Sequence, residues 1–175
     1  MAETRGRPKK ATIPPATTAT ATAHEKYEAK ETIFHALNDT QLMALTMWAE
    51  ARGESREGRI GVGSTILERV DHREWDGKTI REVCLWPYQF SCYLSNDPNY
   101  PHLVNISNDF DAALQRFAAL RECYDIADGM ITGRIARNTT AMQYLNPQVA
   151  GETKKKWLAS GMKSVLIIGR HEWFE

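Results

Sequence analysis

Cysteine is scarce in this chain: Cys84, Cys92 and Cys123 are the only three among 175 residues. None forms a C-x-x-C pair, so neither a zinc ribbon nor a dithiol redox motif is indicated. An odd number allows one intrachain disulfide at most. Cys84–Cys92 is the pair to test if the protein works outside a reducing compartment; otherwise the three read as small buried hydrophobes. No apolar run approaches the roughly 20 residues that a membrane-crossing helix needs. The basic N-terminus is not followed by the apolar core of a secretory signal, so the expectation is synthesis in a cytoplasm. Charge of one sign is also missing. Lys+Arg and Asp+Glu number 22 each, which gives no global bias toward nucleic acid or membrane. The five histidines are scattered, with no H-E-x-x-H and no Cys/His cluster to hold zinc. There is no G-x-S-x-G elbow and no phosphate-cradling loop. Cys92 with His171 stays open as a nucleophile–base pair, although His171 reads equally well as a hydrogen-bonded structural residue.

What is present suits one soluble domain. Hydrophobic residues make up 42% and charged residues 25%, ordinary values for a chain able to bury a core. Residues 1–27 form a separate, disordered arm by composition. Thr and Ala alternate from Ala16 to Ala23 after Pro14 and Pro15, too little apolar surface to offset the entropy of ordering. The arm contains Arg5-Gly6-Arg7-Pro8-Lys9-Lys10, which resembles an AT-hook core. Arg5, Arg7, Lys9 and Lys10 are candidate contacts to A·T-rich DNA or to an anionic envelope polymer, and a solvated tail is the plain alternative. The folded domain is expected over 28–175.

The stretch from Asn38 to Gly53 reads as a helix. Asn38 is a candidate N-cap, Gln41 completes a capping box, and Gly53 is a stop signal. At 100° per residue, Leu42, Leu45 and Ala49 share an arc that Met43, Thr46 and Met47 continue. Glu50 falls inside this arc at the helix end. Desolvation and the negative end of the helix dipole both favour its protonated form, which is what a general acid needs. A surface carboxylate paired with Arg52 or Arg56 is the alternative.

Further along, the spacing predicts a lead-in helix over Glu25–Ala36 and a second helix from Arg56 to His72. Gly61, Gly63 and Ser64 in that second helix permit close packing. Thr79 caps a short helix, Ile80–Leu85, ended by Pro87. The run W-P-Y-Q-F-S-C-Y (Trp86–Tyr93) mixes flat rings with amide and hydroxyl groups, as a saccharide-binding wall would; a buried aromatic loop is equally compatible. Asn96–Asn105 reads as a surface loop. A single long helix is expected from Asn108 to Met130, with Ser107 as cap and Gly129 and Gly133 closing it. Thr139–Leu145 is extended, Asn146-Pro147 is a turn, and Ser164–Ile168 reads as a short buried strand before His171-Glu172-Trp173-Phe174. The fold class is therefore α+β, predominantly helical, with a small strand element.

Five segments in order carry a family resemblance: W-A-E-A-R-G-E (Trp48–Glu54), E-G-R-I-G-V-G-S-T-I-L-E-R-V (Glu57–Val70), P-Y-Q-F-S-C (Pro87–Cys92), Q-Y-L-N-P (Gln143–Pro147) and I-G-R-H-E-W-F (Ile168–Phe174). Together they resemble the SleB-type cell-wall hydrolases, a family that includes spore cortex-lytic enzymes and related phage endolysins. The resemblance implies a lysozyme-like single catalytic domain that cleaves peptidoglycan glycan strands between N-acetylmuramic acid and N-acetylglucosamine, by lytic transglycosylation or by muramidase hydrolysis. It places the family's catalytic Glu on Glu50 and puts Gln89, Phe90 and Ser91 at the groove. Tyr144, Asn146 and His171 match its later segments as substrate-side residues. The family's usual His falls on Gln143 here, which removes any titrating role at that position. Glu54, four residues beyond Glu50, could orient the acid or the substrate, or could pair with Arg56 or Arg59. No cofactor or metal is implied, the protein is expected to be a monomer, and an endolysin would be made in the host cytoplasm and released to the cell wall at lysis.

Overall fold

The computed structural model describes residues 33–72 and 77–175. The basic arm, with Arg5, Arg7, Lys9 and Lys10, lies outside the described residues, as does most of the expected lead-in helix; a helical turn covers 33–35.

The first helix, α1 (Asp39–Ala51), begins as its sequence predicts. Asn38 Oδ1 accepts from Gln41 N at 2.9 Å, and Asn38 N donates to Gln41 Oε1 at 3.0 Å. Every residue from Leu42 to Ala49 is buried, so α1 is an interior axis hydrophobic on all sides. Gly53 does not stop it through a left-handed backbone; its φ is not positive. The C-terminal carbonyls are instead satisfied from outside the helix. Arg59 donates from Nε to Ala51 O and from Nη2 to Arg52 O, at 3.3 and 2.8 Å, supplying the cation that the last turn of α1 lacks. Arg59 also pairs with Glu122.

Helix α2 (Arg56–Asp71) is capped by Ser55, whose hydroxyl accepts from Gly58 N. Its small residues are contact points. A Cβ on Gly61 would sit 2.5 Å from the Trp173 ring, and one on Gly63 would sit 2.8 Å from Met130 sulfur. Helix α3 (Ile80–Leu85) has the expected Thr79 cap, in a box with Glu82. A 3-10 turn follows at Ser91–Tyr93.

A helix not expected from the sequence, α4 (Tyr100–Asn108), comes first, and the expected long helix Asn108–Met130 is two helices, α5 (Phe110–Arg116) and α6 (Ala118–Ile131). Pro101 sits in the first turn of α4, in the stretch expected to be loop. Ser107 is no cap; its hydroxyl bonds back to Leu103 O within α4. Asp109 is the cap, its carboxylate accepting from Ala112 N at 3.0 Å. Phe117 breaks the chain again with extended backbone, which sets its ring 6.0 Å from Trp48. Gly129 lies inside α6, covered by Ile135, whereas Gly133 (φ +75°) ends the element. Helix α6 packs most extensively on α1.

The strands β1 (Gln143–Leu145), β2 (Ser164–Ile168) and β3 (His171–Phe174) form an antiparallel sheet of order β1-β3-β2. The buried strand is β3, flanked on both sides. The expectation of a buried Ser164–Ile168 is corrected: β2 has β3 as its one neighbour, and Ile167 is 66% exposed. Helix α7 (Gly151–Ala159), lysine-rich and without a buried residue, was not legible in the sequence. Lys154 bonds Glu172 at 2.6 Å, and Trp157 stands edge-on to Phe174, tying α7 to β3. All three cysteines are free and buried, with no bridge between Cys84 and Cys92.

Candidate active site

The end of α1 meets the sheet at Glu50. Tyr144, on β1, donates its phenolic O–H to Glu50 Oε2 at 3.1 Å. Register explains how Tyr144 arrives there: it pairs with Trp173 across β1–β3, and Trp173 is anchored on α2 by an Nε1–H bond to Thr65 Oγ1 at 3.1 Å. Tyr144, His171 and Trp173 form an aromatic triad with centroids 5.2 to 5.8 Å apart. Burial pushes the Tyr144 phenol well above its ordinary value, so it remains a hydrogen-bond donor.

Desolvation also raises Glu50 above the usual carboxylate range, and Asp97 pushes the same way; the hydrogen bonds from Tyr144 and Cys92 and the charge of Arg69 oppose them without prevailing. The surroundings of Glu50 thus favour its protonated form, and part of its surface is open to solvent. The Cys92 thiol faces this acid, and burial drives the thiol well above its ordinary value. Cys92 is therefore no thiolate nucleophile. His171 packs on Tyr144 and Trp173, burial lowers its pKa, and its Nδ1 has no partner among the described residues. No Cys92–His171 pair forms.

Two residues that the sequence did not single out stand beside Glu50. Arg69, on α2, is buried, donates from Nε to Met142 O at 2.9 Å and lies over the Phe90 ring. Asp97 accepts from Ser91 Oγ and from Asn99 N, each at 2.8 Å. A lone arginine inside a helix pattern and an aspartate in a turn carry no signal of their own, which is why neither was found.

The remaining expected residues divide. Ser91 is exposed and tied to Asp97; Gln89 is half-buried in the turn that its N–H closes on Trp86 O. Phe90 is 3% exposed and belongs to the core, so it offers no ring to a sugar; the outward rings of its loop are Trp86 and Tyr88. Tyr88 holds φ 64°, a strained conformation for a non-glycine residue. Asn146 Oδ1 accepts from Gln148 N at 3.0 Å, an Asx turn that fixes the chain after β1. Glu54 pairs with neither Arg56 nor Arg59. Its carboxylate takes the Arg170 N–H at 3.1 Å and the Arg170 guanidinium at 2.6 to 2.7 Å. Burial alone would raise Glu54, but these bonds hold it below the usual carboxylate value. Its work is to clamp the β2–β3 hairpin to the α1–α2 turn, with Gly169 (φ +57°) leaving room for Oε2.

The family model for cell wall hydrolases matches residues 53–174. The chain belongs to the cell wall hydrolase family. This hydrolase has the fold of two solved structures, each with a TM-score of 0.54 and covering 78% of the chain. One is the catalytic domain of the Bacillus cereus SleB protein, 24% identical, with 89% of that domain covered. The other is the catalytic domain of the germination-specific lytic transglycosylase SleB from Bacillus anthracis, 23% identical, with 93% covered. No curated protein matches the sequence at a significant level. The fold is the expected lysozyme-like α+β arrangement. Glu50 lies just before the span matched by the family model, so its assignment stands on the geometry around it.

Proposed function

We propose that this hydrolase cleaves peptidoglycan glycan strands between N-acetylmuramic acid and N-acetylglucosamine as a lytic transglycosylase, with Glu50 serving as acid and then base. The observation that carries the reading is the Glu50–Tyr144 pair: a desolvated carboxyl at a helix end, with a neutral phenol donating to Oε2. With Oε2 accepting, the transferable proton belongs on Oε1. Glu50 gives that proton to the glycosidic oxygen as the C1–O bond breaks. The muramic acid 6-hydroxyl then bonds to C1, and its proton returns to Glu50. Atoms balance without water, and the product is a 1,6-anhydromuramoyl end. Tyr144 stabilises the carboxylate present midway, a bond stronger in the transition state than in the ground state.

Asp97 favours a second reading. It is a carboxylate within the electrostatic reach of Glu50, and a second carboxylate is what hydrolysis with a water nucleophile uses. Mass spectrometry of digested peptidoglycan separates the two: anhydro-muropeptides support transglycosylation, and reducing ends support a muramidase. Absence of cleaved glycan altogether sinks both. The proposal extends to an endolysin role, one of the roles found in the family that the five sequence segments resemble. Cells producing the hydrolase internally should stay intact until the inner membrane is permeabilised, then lyse; lysis without permeabilisation would overturn that role.

A further inference from the structure

A concavity lies between the end of α1 and helices α4 and α5. Its volume is about 470 Å³, and Trp48, Arg52, His102, Asn105, Arg116 and Phe117 contribute to its lining. That size suits a small ligand of two or three amino-acid residues. The two arginines are held as planes against rings: Arg52 stacks on Trp48 at 4.7 Å and Arg116 on Phe117 at 5.2 Å, while the two rings are 6.0 Å apart. Stacking of this kind pre-orients a guanidinium for a carboxylate. Among the described residues neither guanidinium meets a carboxylate. Asp109 is the acidic residue of the lining, and its Oδ1 is taken by the Ala112 N–H.

The concavity is joined to the acid through one turn. Arg52 Nη1 donates to Asn99 Oδ1 at 2.8 Å, and Asn99 N donates to Asp97 Oδ1 at 2.8 Å. Asp97 in turn acts on Glu50.

We infer that this concavity binds a carboxylate of the peptide stem that branches from the muramic acid of the substrate, with Arg116 and Arg52 as the recognising groups. The inference rests on the peptidoglycan reading above. Peptide stems carry free carboxylates, and a guanidinium fork matches a carboxylate in charge and geometry. The site would therefore select stem-bearing strands over bare glycan.

Arg116 is the residue to change, because Arg52 also supports the Asn99 turn. Initial rates are measured for wild type and Arg116→Glu on purified peptidoglycan and on the same glycan after an amidase has removed the stems. The expected result is a loss of about tenfold in kcat/KM on stem-bearing strands with stripped strands cleaved as by wild type, and partial recovery in Arg116→Lys. An equal loss on both substrates overturns the inference. In parallel, a soluble stem tripeptide is titrated into wild type while the Trp48 indole resonance is followed by NMR. Movement that Arg116→Glu abolishes supports the site, and no movement overturns it. If wild type cleaves neither substrate, the peptidoglycan reading fails, and the tripeptide titration still decides the concavity separately.

Discussion

Tyr144 donates its phenolic O–H to Glu50 Oε2 at 3.1 Å, although 94 residues separate the two in the chain. This bond opposes the desolvation that raises Glu50. Tyr144→Phe should therefore raise the Glu50 pKa further and move the alkaline limb of the kcat/KM profile to higher pH. The maximal rate should fall about tenfold, because the ionised acid loses a hydrogen bond. A pH–rate series on purified peptidoglycan tests this, and an alkaline limb that moves down in pH would contradict it.

Glu50→Gln should lower turnover by roughly 10²–10⁴-fold, the usual weight of a general acid, and should raise thermal stability. A carboxyl whose pKa is raised on folding binds its proton more tightly in the native state. Its stability contribution is present below the unfolded value of 4.5 and is lost as pH rises toward the folded value. The Tm gain of Glu50→Gln over wild type should accordingly be larger at pH 7 than at pH 4. Scanning calorimetry at the two pH values measures it; a variant less stable at pH 7 would show that the carboxyl is not penalised by its site.

The Glu54–Arg170 clamp should behave in the opposite sense. Glu54 is held below 4.5, so its contribution is present above 4.5 and is lost as pH falls through the depressed folded value. Arg170 is more than half exposed, so solvent screening limits the pair, and Arg170→Ala should cost about 1–2 kcal/mol by urea denaturation at pH 7. The difference from wild type should shrink steadily below pH 4.5. A cost independent of pH would mean that the guanidinium acts through packing alone.

Gly61→Ala should destabilise the protein and reduce activity together. The added Cβ would meet the Trp173 ring at 2.5 Å, and that ring is fully buried and tied to Thr65 by its Nε1–H. Overpacking should exceed the helix-propensity gain of alanine and leave a net cost of about 1–2 kcal/mol. Because Trp173 supports Tyr144, the Tyr144–Glu50 bond should loosen with it. Denaturation and rate measurements on one preparation test the coupling; an unstable variant with undiminished turnover would uncouple Trp173 from the acid.

Local signals carried the parts of this protein that neighbours along the chain can decide. Asn38 and Gln41, and Thr79 and Glu82, wrote their helix starts directly, because a capping box closes within three residues. The desolvation of Glu50 was legible from its place on an apolar arc at a helix end. Gly61 and Gly63 announced close packing, though not against what. The long apolar spacing from Asn108 to Met130 hid two breaks, since neither Asp109 nor Phe117 is a helix breaker by type. Each breaks its helix through a tertiary or capping interaction. The tertiary structure alone decided which side chains meet: Arg170 on Glu54 rather than Arg56 or Arg59, Phe90 turned inward beneath Arg69, and Asp97 brought into the field of Glu50. Hydrophobic periodicity and capping act over a turn or two of chain. The pairing of charges depends on distances fixed only once α1, α2 and the sheet have packed.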